Sequence, residues 1–265
     1  PMPGLGDMNA AYMKRLRALI FEAADEAAAA PAPAEFSYAL EAIEPLGFNR
    51  RKKSFCGVDP VLKAVLFRTA ERKIYLLNYA CHAVVFGRKS HVSADWPGAV
   101  VRAVEKTGDR AVFFQGFCGD IDPVLQMNRW GEGTSDDLED ISDLVLRRLR
   151  KAERYAVGGR DVRLAAAERR ISIPLTVYDK RKIGREAAAF QKTYSQFPGA
   201  ARFAEDWRTR ALAAAPGMRT SPFVRNVPVQ ALAVGGLKIA ALPGEFFCEI
   251  GMKLEKTDPP LMPVG

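Results

Sequence analysis

IYLLNYACHAVVFGRKSHVSAD, residues 74–95, is the stretch that decides the fold. Residues 74–79 are an apolar run rich in aromatic and branched side chains, which predicts a buried strand of an α/β sheet. The strand leads into Cys81 and His82, and the only two histidines of the chain, His82 and His91, both lie in this stretch. Catalytic groups gather at the carboxyl ends of strands in such sheets, where a neutral imidazole is a good zinc ligand. The alternative is a histidine packed in the core.

The rest of the chain alternates predicted strands with predicted helices. Strands are predicted at residues 36–43, 62–69, 74–79, 110–115, within 157–174, at 228–234 and at 237–242. Helices are predicted at 9–30, 98–106, 135–155, 179–196, 200–214 and 247–255, after a loop at 1–7. This pattern predicts an α/β fold of mixed, twisted β-sheets flanked by helices, with a helical insertion around 179–214. Because strands 62–69 and 74–79 are joined by a short polar turn, we expect them to form an antiparallel hairpin.

Composition narrows the class of protein. The chain has 265 residues, 48% of them hydrophobic, enough for one substantial core, and a net charge of +8. No nucleic-acid motif accompanies the charge, and no apolar run is long enough to span a bilayer. Its four cysteines contain no CxxC pair, which excludes a cysteine-based zinc knuckle. Their wide spacing does not indicate disulfides, so the cysteines do not identify the cellular compartment. This size predicts a single domain over residues 1–265. The Pro-rich segments at its two ends suggest that the domain is incomplete at both.

Several charged side chains follow predicted strands and are candidates for chemistry. Asp120 and Asp122 lie in a Gly-rich segment after strand 110–115, although two acids around such a turn also occur as turn chemistry alone. Glu245 follows strand 237–242. Arg50 lies in a basic loop and could present its guanidinium to a substrate oxygen, or could belong to a solvated hairpin tip. Asp95 stands at a helix start, where a carboxylate is favourable without any catalytic role.

Four motifs carry a resemblance to a known family. NYACHAVVFG, VSADWPGAVVRAVEK, FFQGFCGDIDP and ALPGEFFCEIG, in this order and spacing, resemble the N-terminal catalytic domain of the neutral/alkaline non-lysosomal ceramidases. The resemblance covers most of the chain and is weakest over residues 179–214. It implies a zinc amidohydrolase in which His82 and Glu245 are metal ligands. A further histidine and a tyrosine of that metal shell are expected outside residues 1–265.

One position departs from the family pattern. Where the family has a catalytic serine, in Gly-Asp-x-Ser-Pro, this chain has Asp122, in Gly119-Asp120-Ile121-Asp122-Pro123. A carboxylate changes the charge of the site, so ceramide itself is not the expected substrate. The leading hypothesis is a zinc-dependent hydrolase of an amide-like bond in a small-molecule or lipid-like substrate, with Asp122, Arg50 and Asp120 as catalytic candidates.

Two alternatives follow from the same residues. The chain could be a non-catalytic ligand-binding module of the same fold, or a hydrolase of a polar glycan or peptide substrate. Nucleic acid is not an expected partner. Neither the oligomeric state nor the compartment, cytoplasmic or secreted, follows from the sequence.

Overall fold

The computed structural model describes residues 8–160 and 162–265, so the predicted loop at residues 1–7 lies outside it. Its helices are α1 (Ala10–Ala29), α2 (Asp95–Glu105), α3 (Ser135–Ala152), α4 (Lys180–Thr193), α5 (Ala200–Thr220) and α6 (Cys248–Thr257). Its strands are β1 (Glu35–Ala42), β2 (Gly47–Asn49), β3 (Val61–Arg68), β4 (Lys73–Tyr79), β5 (Arg110–Gln115), β6 (Ile121–Pro123), β7 (Val157–Gly159), β8 (Leu164–Pro174), β9 (Phe223–Val234), β10 (Leu237–Ala241) and β11 (Leu261–Val264). Short 3-10 turns occur at Val124–Met127 and Glu153–Tyr155.

The chain forms two compact units. One contains the described residues 8–31 with residues 170–227, and the other contains 32–169 with 228–265, apart from the undescribed Asp161. In the first unit α4 and α5 pack through stacked rings, with Phe190 and Phe203 centroids 5.0 Å apart. In the same unit α1 buries none of its residues. Every candidate site residue lies in the second unit, and that residues 1–265 act as one catalytic domain stays a prediction.

The second unit is organised around a five-stranded sheet with the order β5-β4-β3-β1-β7. The predicted hairpin is confirmed, since β3 and β4 pair antiparallel from Lys63 opposite Asn78 to Arg68 opposite Lys73. β4 and β5 are parallel, so both end at the same edge of the sheet. A second sheet has the order β11-β10-β9-β8, and β2 pairs with β6 in a separate two-stranded ladder. This architecture confirms the predicted fold class of mixed β-sheets flanked by helices.

Strand β3 shows why these strands have continuous apolar runs. Leu62, Ala64 and Leu66 belong to a core with residues of helices α2 and α3, whereas Val65 belongs to a second core with Leu237 of β10. Because successive side chains of a strand point to opposite faces, a strand covered on both faces is apolar along most of its length. The buried exception in β3 is Lys63, which contacts the carboxylates of Asp59 and Glu255.

Several element boundaries differ from the predicted ones. No strand was predicted in the Pro-rich run near the end of the sequence. Leu261–Val264 nevertheless form β11, which pairs in parallel with β10. Helix α5 continues past Pro216 to Thr220. Helix α3 begins at the predicted residue, and its N-cap, Thr134, forms a capping box with Asp137. Among the described residues, none of the helices is long and apolar enough to cross a membrane. All four cysteines are free thiols.

Candidate active site

The candidate site lies where β4, β5 and β10 end. His82 follows β4, the loop 116–120 follows β5, and Glu245 follows β10. Hydrogen bonds tie the first two strand ends together, because Gly116 N donates to Tyr79 O at 3.0 Å and Gln115 Nε2 donates to Cys81 O at 2.9 Å. The sheet therefore holds the loop before His82 against the Gly-rich loop.

The short ladder of β2 and β6 brings Arg50 to Asp122. Phe48 pairs with Asp122 in this ladder, and Arg50 N then donates to Asp120 O at 2.9 Å. The guanidinium donates from Nη1 to Asp122 Oδ1 at 3.3 Å and from Nη2 to Gly119 O at 3.0 Å. The Asp122 side chain is 6% exposed and that of Arg50 is 45% exposed. Arg50 thus orients Asp122 while keeping one side of its guanidinium in solvent.

Asp120 is held inside the protein by two hydrogen bonds. Its Oδ1 accepts from Cys248 N at 3.0 Å and its Oδ2 accepts from Asn49 Nδ2 at 2.9 Å, and the residue is 1% exposed. Asn49 Oδ1 in turn accepts from the backbone N–H groups of Arg51 and Lys52, each at 3.1 Å. These contacts favour a role for Asp120 in positioning the loops around the site; its catalytic role stays a prediction.

His82 is fixed through its backbone. His82 N donates to Ile121 O at 2.9 Å, and His82 O accepts from Trp96 Nε1 at 3.0 Å. The imidazole Nδ1 lies 3.6 Å from Cys118 Sγ, and the buried Nε2 has no hydrogen-bond partner among the described residues. A buried polar nitrogen without a partner is unusual in proteins, and a missing ligand is one of its common explanations.

Asp95 supports the loop after His82. Its carboxylate accepts from Val85 N at 3.1 Å, Phe86 N at 2.8 Å and Trp96 N at 2.9 Å. Asp95 also has a positive φ of 52°, which is uncommon for residues other than glycine. Asp95 therefore does more than stand at the start of a helix, as predicted: it also binds the backbone of Val85 and Phe86. Sequence spacing alone does not show these bonds.

Glu245 approaches the Gly-rich loop through its backbone. Gly119 N donates to Phe246 O at 2.8 Å, and Gly244 has a φ of +143°, a conformation that favours glycine in the Pro-Gly-Glu segment. Burial, with the charge of Glu245 as the next cause, raises the pKa of the Cys118 thiol to about 12. Cys118, which contacts the His82 ring, thus lies within electrostatic reach of the Glu245 carboxylate. Glu245 itself is exposed.

Gly119→Ala is expected to destabilise the protein by about 1–3 kcal/mol, the usual range for inserting a methyl group into a packed site. A Cβ at Gly119 would lie 2.3 Å from Glu245 O and 2.9 Å from Glu245 C, and neither backbone atom can rotate away. The measurement is urea-induced unfolding. The matched control is Gly159→Ala, since a Cβ at Gly159 meets nothing within 4 Å. Equal unfolding midpoints for the two variants would contradict the close packing of the two loops.

The electrostatics of the site favour a proton acceptor at Asp122. Burial raises the pKa of Asp122 above its ordinary value, although the charges of Arg50 and His82 oppose that change. The structure therefore places His82 and Arg50 close enough to Asp122 for their charges to act on its carboxylate. It places His91 elsewhere, at the surface, where its ring lies edge-on to Phe86 with centroids 5.7 Å apart.

The donor atoms fit a zinc ion in part. An unpartnered imidazole nitrogen and a carboxylate are ordinary zinc ligands. Among residues 8–160 and 162–265, however, no three His, Cys, Asp or Glu side chains are grouped so that they could hold a metal ion. Catalytic zinc sites usually have three protein ligands, so these residues form at most part of a shell.

Sequence reasoning missed three residues of the site. Asn49, Trp96 and Cys118 each make a hydrogen bond or close contact with a candidate residue. The one feature of the sequence that could have pointed to them is that each lies next to a candidate residue or motif. Asn49 is adjacent to Arg50, Trp96 follows Asp95, and Cys118 precedes the Gly119-Asp120 pair. No local pattern shows that side chains so far apart in sequence meet.

No family model and no curated protein matches the chain. Its fold is similar to that of a ceramidase complexed with C2, with a TM-score of 0.61, 14% identity and coverage of 88% of this chain and 45% of that one. It is also similar to the neutral ceramidase from Pseudomonas aeruginosa, with a TM-score of 0.57, 17% identity and coverage of 89% and 44%. The chain thus spans less than half of either structure. At 14% and 17% identity, this similarity confirms that the chain has a ceramidase-like fold and shows nothing beyond the fold.

Proposed function

We propose that this protein is a metal-dependent hydrolase of an amide-like bond, with a small-molecule or lipid-like substrate. The observation that carries the proposal is the buried Nε2 of His82, which has no partner among the described residues although it lies beside loops that bear Asp122 and Glu245. The ceramidase-like fold supports the same reaction class by analogy.

His82 and Glu245 would hold a zinc ion, with the remaining ligands outside residues 1–265. The structure gives the Glu245 carboxylate no hydrogen bond or salt bridge within its described part, and its segment is braced by the bond from Gly119 N to Phe246 O. The chemistry that zinc supplies when bound is Lewis acidity toward a carbonyl oxygen. The ligand pair alone predicts weak binding, because a catalytic site needs at least one more protein donor.

Asp122 would take the proton in this reaction. A carboxylate with a raised pKa is a better base near neutral pH, and Asp122 is 4% exposed. Arg50 holds the carboxylate in place and has solvent-facing N–H groups left to bind a developing negative charge on the substrate.

Aspartate in place of the family serine favours a substrate other than ceramide. A buried carboxylate accepts hydrogen bonds but, when ionised, donates none. We propose that the substrate presents a hydroxyl or N–H group to Asp122. An activity panel of N-acyl lipids, acyl amino acids and amino-sugar amides addresses this choice.

The first test is zinc content, measured by mass spectrometry on the protein as its natural gene encodes it. His82→Ala and Glu245→Ala are each expected to lower bound zinc at least tenfold, because each removes a ligand. His91→Ala is the matched control, since it removes the other histidine from the surface and should leave the zinc content unchanged. Full zinc content in both ligand variants would remove the metal assignment. Retained ligand binding after chelation, with no turnover on the panel, would instead favour a non-catalytic binding module.

A further inference from the structure

Helix α1 carries large apolar side chains that are exposed to solvent. It begins at an Asn9 cap, whose Oδ1 accepts from Tyr12 N at 3.0 Å, and none of its 20 residues is buried. Tyr12 and Ile20 are each 61% exposed, and Leu19 is 45% exposed. A protein helix is stabilised mostly by packing of its apolar face, and a contiguous exposed apolar surface marks an interaction site. Helix α1 therefore has the character of an interface.

The apolar residues of α1 form one stripe along its length. At 3.6 residues per turn, a sector about 100° wide contains Tyr12, Leu16, Leu19, Ile20, Ala23 and Ala27. Phe21 lies on the opposite side of the helix. The large side chains of the stripe all belong to the first half of α1, and the alanines belong to the second half. The stripe is therefore bulky at one end and thin at the other.

Charge divides along α1 in the same way as side-chain size. The first half is basic and the second half is acidic, and the charged residues are all exposed: Lys14, Arg15, Arg17, Glu22, Asp25 and Glu26. Arg15, Glu22 and Glu26 lie along one border of the stripe, because spacings of seven and four residues return to the same side of a helix.

The division by size fits an antiparallel pair of α1 helices from two copies of the chain. About a twofold axis at the middle of α1, Leu16 of one copy faces Ala23 of the other, and Tyr12 faces Ala27. Large side chains then pack against small ones in every layer, which brings the two helices close together without gaps. A parallel pair would instead set the large side chains against each other at one end and alanines against alanines at the other.

The division by charge selects the same arrangement. In an antiparallel pair the same border of the stripe meets itself across the axis, so that Arg15 of one copy lies between Glu22 and Glu26 of the other. A parallel pair would bring like charges together at both ends, which is unfavourable. We infer that this protein forms an antiparallel homodimer through the apolar stripe of α1. Such a pair is isologous, the commonest interface of homo-oligomers, and it does not depend on the proposed hydrolase function.

The first test is the mass of the natural full-length protein, measured by light scattering after gel filtration. The wild type should have twice the mass of one chain. Ile20→Asp should have the mass of one chain, because the interface would bury an unpaired carboxylate. Phe21→Asp is the matched control and should stay a dimer, since Phe21 is 58% exposed but faces away from the stripe. Circular dichroism verifies that both variants are folded.

Two results of this test would overturn the inference. One is a wild type with the mass of one chain, because another part of the natural chain or a lipid then covers α1. The other is a dimer that Ile20→Asp leaves intact, because its interface then lies elsewhere.

Directed cross-linking tests the direction of pairing. Cys56→Ser first removes the exposed thiol, since the other three cysteines are buried. In an antiparallel pair the two copies of position 20 lie side by side at the axis, whereas the two copies of position 12 lie about 22 Å apart along it. A mild oxidant should therefore link Ile20→Cys and leave Tyr12→Cys unlinked. Linkage of both variants, or of neither, would reject the antiparallel pair.

Charge reversal tests the register of the two helices. Arg15→Glu should raise the dissociation constant of the dimer about 2–30-fold, the effect of losing exposed ion pairs at two symmetric places. Adding Glu22→Arg and Glu26→Arg to Arg15→Glu should restore the wild-type value, because every pair is then reversed. A triple variant that dimerises no better than Arg15→Glu would show that these residues do not face each other.

Discussion

Lys63→Met is expected to lower the free energy of unfolding by about 3–5 kcal/mol, the usual result of removing one partner from a buried ion pair. Lys63 Nζ lies 2.6 Å from Asp59 Oδ2 and 2.9 Å from Glu255 Oε1, and its side chain is 4% exposed. Burial alone lowers the pKa of Lys63, but the facing carboxylates outweigh it and raise that pKa above its ordinary value. Without the ammonium, the buried carboxylate of Asp59 and the half-buried carboxylate of Glu255 remain without their cation. Urea-induced unfolding measures the loss.

The pH dependence of this loss has a definite sign. Burial raises the pKa of Glu255 despite the charge of Lys63, and removing Lys63 raises that pKa further. A carboxyl whose pKa is raised in the folded state contributes stability at low pH and loses it as the pH rises through that pKa. The difference between Lys63→Met and wild type should therefore shrink toward acidic pH.

Two comparisons test this explanation of the Lys63→Met loss. Lys238→Met breaks an exposed pair with Asp258 and should cost less than about 1 kcal/mol. Adding Asp59→Asn and Glu255→Gln to Lys63→Met should restore part of the stability, because no buried charge then remains. If the triple variant is less stable than Lys63→Met alone, the loss came from packing and not from unpaired charge.

Under the proposed function, Asp122→Asn is expected to lower kcat/KM about 10²–10⁴-fold on any substrate found active in the panel, the usual contribution of a general base. Asparagine has the same shape and can still accept the hydrogen bond from Arg50, but it cannot take a proton. In the wild type, the acid limb of kcat/KM should rise with pH through the pKa of Asp122, which burial places above the ordinary value.

Stability gives a second readout of the same residue. Because its folded pKa is raised, Asp122 contributes less stability as the pH rises through that pKa. The stability of Asp122→Asn relative to wild type should therefore improve from acidic to neutral pH. Asp140→Asn, on the exposed face of α3, is the matched control and should change neither activity nor its pH profile. Activity within threefold of wild type in Asp122→Asn would exclude Asp122 as the base.

The sequence predicted those features that depend on local patterns. The β3–β4 hairpin follows from two apolar runs and a polar turn, and the strand end before His82 follows from the length of the second run. Strand β11 was missed because prolines suggest a chain end. Pro263 is tolerated there because β11 is an edge strand of its sheet, where one side of the backbone needs no donor.

Contacts between distant segments could not be predicted in the same way. Arg50 and Asp122 are 72 positions apart and meet only because β2 pairs with β6. Asn49 and Asp120 meet through the same ladder. The pairing joins two short segments that are far apart in the chain, and no periodicity in residues 47–54 indicates it.

The ladder of β2 and β6 also limits how this protein can change. It contains only three residue pairs, and its side chains alternate between two faces. A single residue inserted or deleted in either strand would shift the register by one position and turn the shifted side chains to the opposite face, which would separate Asp122 from Arg50. Variation in length should therefore be excluded from these two segments, because either change would separate the Arg50 guanidinium from the Asp122 carboxylate.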